Sequence, residues 1–376
     1  MIHKPKILLL ILILLNSCVA KFIPVIDESR ELLVVQGLIT DQNETDTIKL
    51  SKSLPLGQKS DARPVSGCIL KILDDQGNEY SLKEIKAGIY ITDPVYFQGV
   101  TGRFYTLKIS TNSGNNNLNY ESVPIEMKPV PPMDSIYYEK KVIEQASENF
   151  AGVDACQIYL DTHDPSDNCK FYRWDFSETW KLRLLFDVPN QTCWISDKSH
   201  SINIKSTAAF DEARINRYPI NFISNVTDRL KTSYSILVNQ YSMNEDEYNY
   251  WEKIQSILVQ VGGLYDIIPA SIPSNIRCIE NPQEKVLGYF SVSAKSSKRI
   301  FINDNFAGII DRYANCITDT VYTDNFPELN ITEWILFAHR CSIPCASFYE
   351  ITTRRECADC TGRGTNIEPG FWKENK

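Results

Sequence analysis

Histidine is scarce, with four in 376 residues, and His3 precedes the first apolar run. That leaves His163, His200 and His339 as candidates for histidine-led catalysis or metal binding, each without a neighbouring partner motif. A basic excess is also missing. The formal net charge is −8, and loss of Lys4 and Lys6 with a leader takes it near −10 (−8 less 2). Such a chain is a poor partner for phosphate backbones, so nucleic-acid binding is disfavoured. Beyond Leu15 no apolar stretch approaches the roughly 20 residues that span a bilayer as a helix. The chain also lacks a Gly-x-Ser-x-Gly elbow, a phosphate loop, a His-Glu-x-x-His pair and an internal repeat. No spaced pair of carboxylates suggests a glycosidase. The expectation is a protein without enzymatic activity, cofactor or metal.

The N-terminus is informative. Lys4 and Lys6 precede the unbroken apolar run Ile7–Leu15, which has the length of a signal-peptide core. Leu15-Asn16-Ser17-Cys18 then resembles the lipobox of bacterial lipoproteins. The expected order is a signal peptide over 1–17, lipidation at Cys18 and a tether over 18–31. More than one acyl chain, at about 0.8 kcal/mol per buried CH₂, gives a stable anchor.

The body reads as mostly β. Residues 32–128 alternate in short strands, among them 33–39, 47–51 and 104–110. Cys68, Leu70 and Ile72 share one face, and Asp74-Asp75-Gln76-Gly77-Asn78 is a turn. This spacing predicts a β-sandwich of the Ig-like or carboxypeptidase-regulatory-like kind. Pro129-Val130-Pro131-Pro132 removes backbone donors and marks a linker over 129–134. A larger β-rich domain with one amphipathic helix is expected over 135–376. Its clearest strand, or two strands with a bend, lies within 170–186, where Tyr172, Trp174, Phe176, Glu178, Trp180, Leu182, Leu184 and Phe186 form the core face. The helix is predicted from Ser242 as N-cap with Glu245 completing a capping box. Its stripe is Tyr248, Trp251, Ile254, Leu258 and Val261, and Gly262-Gly263 ends it. That stripe packs on the sheet or meets a partner protein.

Eleven cysteines are many, and in an exported protein disulfides are the default. Cys341 and Cys345 precede Cys357 and Cys360 in a Cys-rich end. Two disulfides are expected there, with a tetrahedral zinc or a redox Cys-x-x-Cys as alternatives. Cys156 with Cys169, and Cys193 with Cys278, are the pairings guessed for the rest, although sequence does not fix connectivity. Cys68, on a core face, is expected to be a buried thiol. Glu178 stands on an aromatic face. It is either a general acid raised by burial, or a buried carboxylate paired with an arginine, such as Arg299, or with a tyrosine hydroxyl.

Several segments together resemble a known family. They are the lipobox, Leu33-Val34-Val35-Gln36-Gly37-Leu38-Ile39-Thr40, and Pro64-Val65-Ser66-Gly67 before Asp74-Asp75-Gln76-Gly77. To these add the strand 170–180, Gln240-Tyr241-Ser242, Val286-Leu287-Gly288-Tyr289-Phe290 and the ending from Cys357 to Asn366. They resemble the Bacteroidota lipoproteins grouped as domain of unknown function 4249. The resemblance implies an outer-membrane lipoprotein that serves a TonB-dependent transporter as an accessory or substrate-capturing partner. An exported hydrolase and a structural or adhesion lipoprotein are the alternatives. The resemblance brings no binding residue, and the ligand class (small molecule, peptide or glycan) stays open.

Overall fold

A computed structural model describes residues 31–53, 63–113, 116–145, 152–185, 188–260, 272, 274–310, 319–322, 334–339, 348–352 and 354–372. The leader and Cys18 lie outside the described residues.

Ten short strands come first: β1 (Leu33–Thr40), β2 (Thr47–Lys52), β3 (Arg63–Pro64), β4 (Ile69–Asp74), β5 (Glu79–Ser81), β6 (Lys83–Lys86), β7 (Ile89–Ile91), β8 (Phe104–Ser113), β9 (Asn116–Ser122) and β10 (Ile125–Glu126). Seven more strands follow: β11 (Met133–Glu144), β12 (Val153–His163), β13 (Phe171–Arg183), β14 (Thr192–Lys198), β15 (Asn203–Ser206), β16 (Arg214–Ile223) and β17 (Ser233–Met243). Helix α1 (Glu245–Gln260) precedes β18 (Ile276–Cys278), β19 (Val286–Ser293) and β20 (Lys295–Ile302). The end carries β21 (Asp319–Tyr322), β22 (Trp334–His339), β23 (Phe348–Thr352) and α2 (Arg355–Ala358). The fold is mostly β, as the alternation predicts, and the described sheets form no closed barrel.

Two sheets build the first sandwich. One runs β19-β1-β2-β7-β6 with β3 on β2, and the other runs β18-β9-β8-β4-β5 with β10 on β8. Leu33, Val35, Ile39, Ile48, Leu50, Leu70, Ile72, Leu107 and Ile109 fill the space between them. Each such side chain, fully buried, contributes about 1.5–3 kcal/mol.

The partition differs from the linear boundary at 128. Strand β19 pairs parallel with β1, from Leu33 opposite Val286 to Thr40 opposite Ser293. Strand β18 pairs with β9, and Ile276, Cys278, Val286 and Phe290 belong to the first core. The reason is that β1 and β9 would otherwise expose unpaired edges, and a late part of the chain covers both. Gly288 makes this closeness possible. Its φ is +87°, and a Cβ there would sit 2.0 Å from the Val35 carbonyl oxygen.

The proline stretch is a packed seam and not a spacer. Val130 packs against both major cores, Pro131 is buried with its carbonyl accepting from Gln240 Nε2 at 2.8 Å, and β11 already begins at Met133. Prolines have no N–H to satisfy, so they suit a buried crossing between sheets.

Beyond the seam, the sheets β11-β12-β16 and β14-β13-β17-β20, with β15 on β13, enclose a second core. Strand β13 has the expected period of two, with Tyr172, Trp174, Phe176, Glu178, Trp180 and Leu182 all buried. Leu184, past its end, is buried too, and Phe186 lies outside the described residues. Trp174 Nε1 donates to Gln240 Oε1 at 2.8 Å, so the indole meets an acceptor inside that core.

Candidate functional site

The carboxylate of Glu178 lies in a closed setting. It is 4 % exposed, and both oxygens are taken. Arg229 Nε stands 3.0 Å from Oε1, and Tyr234 Oη donates to Oε2 at 2.6 Å with Asn221 Nδ2 at 3.3 Å. Arg229 also covers the Trp180 ring. This is the paired carboxylate of the sequence reading, with a different arginine. Glu178 stands opposite Ile236, and Ile236 opposite Ile300, so Arg299 one residue away points to the other face of the sheet. There its guanidinium stacks on Phe371 at 3.7 Å and donates to Ser235 Oγ at 3.0 Å.

The cysteines correct the guessed pairings. Cys193 of β14 is joined to Cys360, with Cα atoms 5.8 Å apart across 167 residues of sequence. Cys156, Cys169 and Cys278 are buried free thiols, and burial pushes Cys156 and Cys169 up to about 12. Cys278 cannot reach Cys193, because β18 belongs to the first sandwich. Cys68 is free and half-buried against the first core. Cys357 is also disulfide-bonded. With Cys357 and Cys360 spent this way, four thiolates are not left for a zinc, and these two do not form a redox pair with each other. Cys341 and Cys345 lie outside the described residues.

The histidine side chains among the described residues are not gathered. His163 Nδ1 lies 2.7 Å from the Asp134 carboxylate, His200 is exposed, and the side chain of His339 lies outside the described residues.

The constellation that the structure does assemble is on the opposite face of β13. Helix α1 crosses that face and also leans on β19 of the first sandwich. Phe171 meets Tyr248 at 5.2 Å between ring centroids, and Tyr250 meets Tyr289 at 4.9 Å. The helix is capped by Asn244, whose Oδ1 accepts from Glu247 N at 2.7 Å. Ser242, the expected cap, is still in β17. Its hydroxyl donates to the Lys128 carbonyl at 2.6 Å and accepts from Ala294 N at 3.1 Å, which ties the two halves together. Within the expected stripe, Tyr248, Trp251 and Ile254 are half-buried; the side chain of Leu258, and Val261 to Gly263, lie outside the described residues.

Between α1, β13 and the first sandwich lies a cleft of about 480 Å³. Gln36, Leu38 and Lys49 line one side, Arg173 and Asp175 the floor, and Tyr250, Trp251 and Ile254 the helix side. Behind it sits Glu247, fully buried. Its Oε1 accepts from Ser291 Oγ at 2.6 Å and from Trp251 Nε1 at 3.3 Å, while Oε2 has no hydrogen-bond partner. Burial pushes the Glu247 carboxyl above its usual range, opposed by the Arg173 charge. The Arg173 guanidinium lies over the Tyr241 ring at 4.9 Å and over the Trp251 ring at 5.2 Å. Its Nε is buried without an acceptor, and among the described residues no carboxylate comes within ion-pair distance. A buried donor without a partner costs about 1–3 kcal/mol. Arg173 and Trp251 were visible in the sequence only as members of a strand and a stripe. The spacing of four between Glu247 and Trp251 was the one available signal for the buried acid.

The family model described as "Domain of unknown function (DUF4249)" matches residues 19–299, well over half of the chain. No curated protein matches. The chain belongs to the DUF4249 family.

Proposed function

From that membership and the geometry of the cleft, we propose that this chain is a ligand-capturing outer-membrane lipoprotein. It is acylated on Cys18 and works as the accessory partner of a TonB-dependent transporter. The observation that carries the capture half is the cleft itself. Its volume of about 480 Å³ falls in the range of about 300–1,000 Å³ usual for small-molecule sites. Aromatic walls surround a guanidinium whose Nε has no hydrogen-bond acceptor. A hydrolase built on Glu178 would need an open carboxylate, and this one is buried with both oxygens engaged. A pure spacer would need no such cleft. The anchor and the transporter rest on the lipobox and on the family resemblance. Among the described residues no helix is long and apolar enough to cross a membrane, consistent with attachment by lipid.

The test is a pulldown of the tagged full chain in mild detergent. A co-purifying β-barrel receptor, identified by mass spectrometry, is the expected result. Recovery of the chain alone, from membranes that contain such receptors, would count against the reading.

A further inference from the structure

We propose that the cleft takes a small organic carboxylate, which Arg173 receives and for which Trp251 positions Arg173. The inference deepens the capture reading above and rests on it.

The argument starts from the guanidinium. Two rings, Tyr241 and Trp251, pack against it, and Arg173 lines the cleft, so its donor-bearing edge is what it has to offer a ligand. That edge is planar and matches the two oxygens of a carboxylate. No protein group has taken the place. The nearest acid along the strand, Asp175, accepts from Asn239 Nδ2 at 2.7 Å and makes no ion pair with Arg173.

The support behind Arg173 is built in series. Ser291 and Trp251 both donate to Glu247 Oε1, and the indole so oriented is one of the two rings that hold the guanidinium. A stacking ring fixed by its N–H holds the arginine in one plane, which reduces what binding must order. Burial raises the Glu247 carboxyl while the Arg173 charge opposes that rise, and Glu247 makes no ion pair with Arg173. Lys49, exposed on β2 at the rim, adds a second cation, and its ammonium makes no hydrogen bond or ion pair with the described residues.

The remaining walls set the body of the ligand. Leu38, Tyr250 and Ile254 offer apolar surface beside the cation. The fitting chemistry is therefore a singly charged carboxylate on an apolar or aromatic body. Asp175 on the same floor repels any anion, and a phosphate dianion, with more charge, more strongly than a carboxylate.

Calorimetric titration of the full chain in mild detergent, with three probes, tests this. The probes are 3-phenylpropanoate, its neutral amide 3-phenylpropanamide, and phenyl phosphate. The acid is expected to bind at least about tenfold more tightly than the amide, since a site built to pair a charge rejects the analogue lacking it. Arg173→Gln should bring the acid down to the level of the amide. Trp251→Phe keeps a stacking ring but loses the N–H to Glu247; it should weaken the acid about three- to tenfold and leave the amide unchanged. Lys49→Gln, at an exposed position that leaves the fold intact, should weaken the acid about threefold. Equal binding of acid and amide, absence of binding by the acid at millimolar concentration, or tighter binding of phenyl phosphate would each overturn the proposal. The receptor pulldown is read separately. A recovered receptor with no carboxylate binding removes only this inference, and carboxylate binding with no receptor removes only the transporter partnership.

Discussion

The indole N–H of Trp251 donates to Glu247 one helical turn earlier, at 3.3 Å, and the same ring covers the guanidinium of Arg173. A fully buried acid thus holds an aromatic ring, and the ring holds a cation at the floor of a cleft. The helix that carries this pair touches both halves of the molecule, so the site exists only where they meet.

Removing the acceptor should be felt in stability. Glu247→Ala leaves the Ser291 hydroxyl and the Trp251 N–H without their partner. The expected loss is about 1–3 kcal/mol in urea unfolding. Glu247→Gln keeps an acceptor and should lose less than half of that. Equal losses in the two variants would show that hydrogen bonding is not what Glu247 contributes.

The first sandwich should not fold as a linear piece. A fragment of residues 32–128 lacks β18 and β19, and with them Ile276, Val286 and Phe290 of its core. Expressed alone, it is expected to show the amide dispersion of an unfolded chain in proton NMR. A well-dispersed spectrum would show that the parallel pairing of β1 with β19 is dispensable. In the full chain, Gly288→Ala should destabilise by about 2–4 kcal/mol, because the added Cβ meets the Val35 carbonyl in a left-handed conformation.

The bond between Cys193 and Cys360 closes a long loop. Cross-links of this type typically stabilise by about 2–4 kcal/mol. Cys360→Ser and Cys193→Ser should lower the thermal midpoint by the same amount, and the double variant by no more than either alone. Cys278→Ser tests the rejected pairing: it removes a free thiol, so a mass shift under alkylation of the unfolded, unreduced chain should drop by one label.

Asp46 supplies a pH dependence. Burial raises its carboxyl from 3.8 to about 7, against hydrogen bonds from Thr40. The folded chain therefore holds this proton more tightly than the unfolded chain does. The contribution is fully present below about pH 4 and is lost as pH rises through about 7. A rise from 3.8 to about 7 corresponds to about 4 kcal/mol. Asp46→Asn imitates the protonated acid, so its urea midpoint should vary less between pH 4 and pH 8. An unchanged slope in the variant would assign the pH dependence to other groups.

Legibility followed the range of the forces. The buried face of β13 was readable because side chains alternate with a period of two, and Glu178 fell on that face as expected. Its partner was not readable. Arg299 opens a later strand, but the register of β17 and β20 sends it to the other face, and Arg229, from the loop before β17, meets the carboxylate instead. The helix was readable from spacings of three and four, but its cap moved from Ser242 to Asn244. The Ser242 hydroxyl was claimed by Lys128 and Ala294, residues far away in sequence.

The sequence by itself determined the β character of the chain, the helix, the aromatic strand and the family. Each is written in local periodicity or in matched residues. Tertiary structure alone decided that residues 276–294 return to the first sandwich, that Cys193 meets Cys360, and that Arg173 lies against two aromatic rings with no carboxylate paired to it. These are contacts between distant parts of the chain. Periodicity says which face of an element is buried, and only the closed fold says what that face, or the one behind it, is placed against.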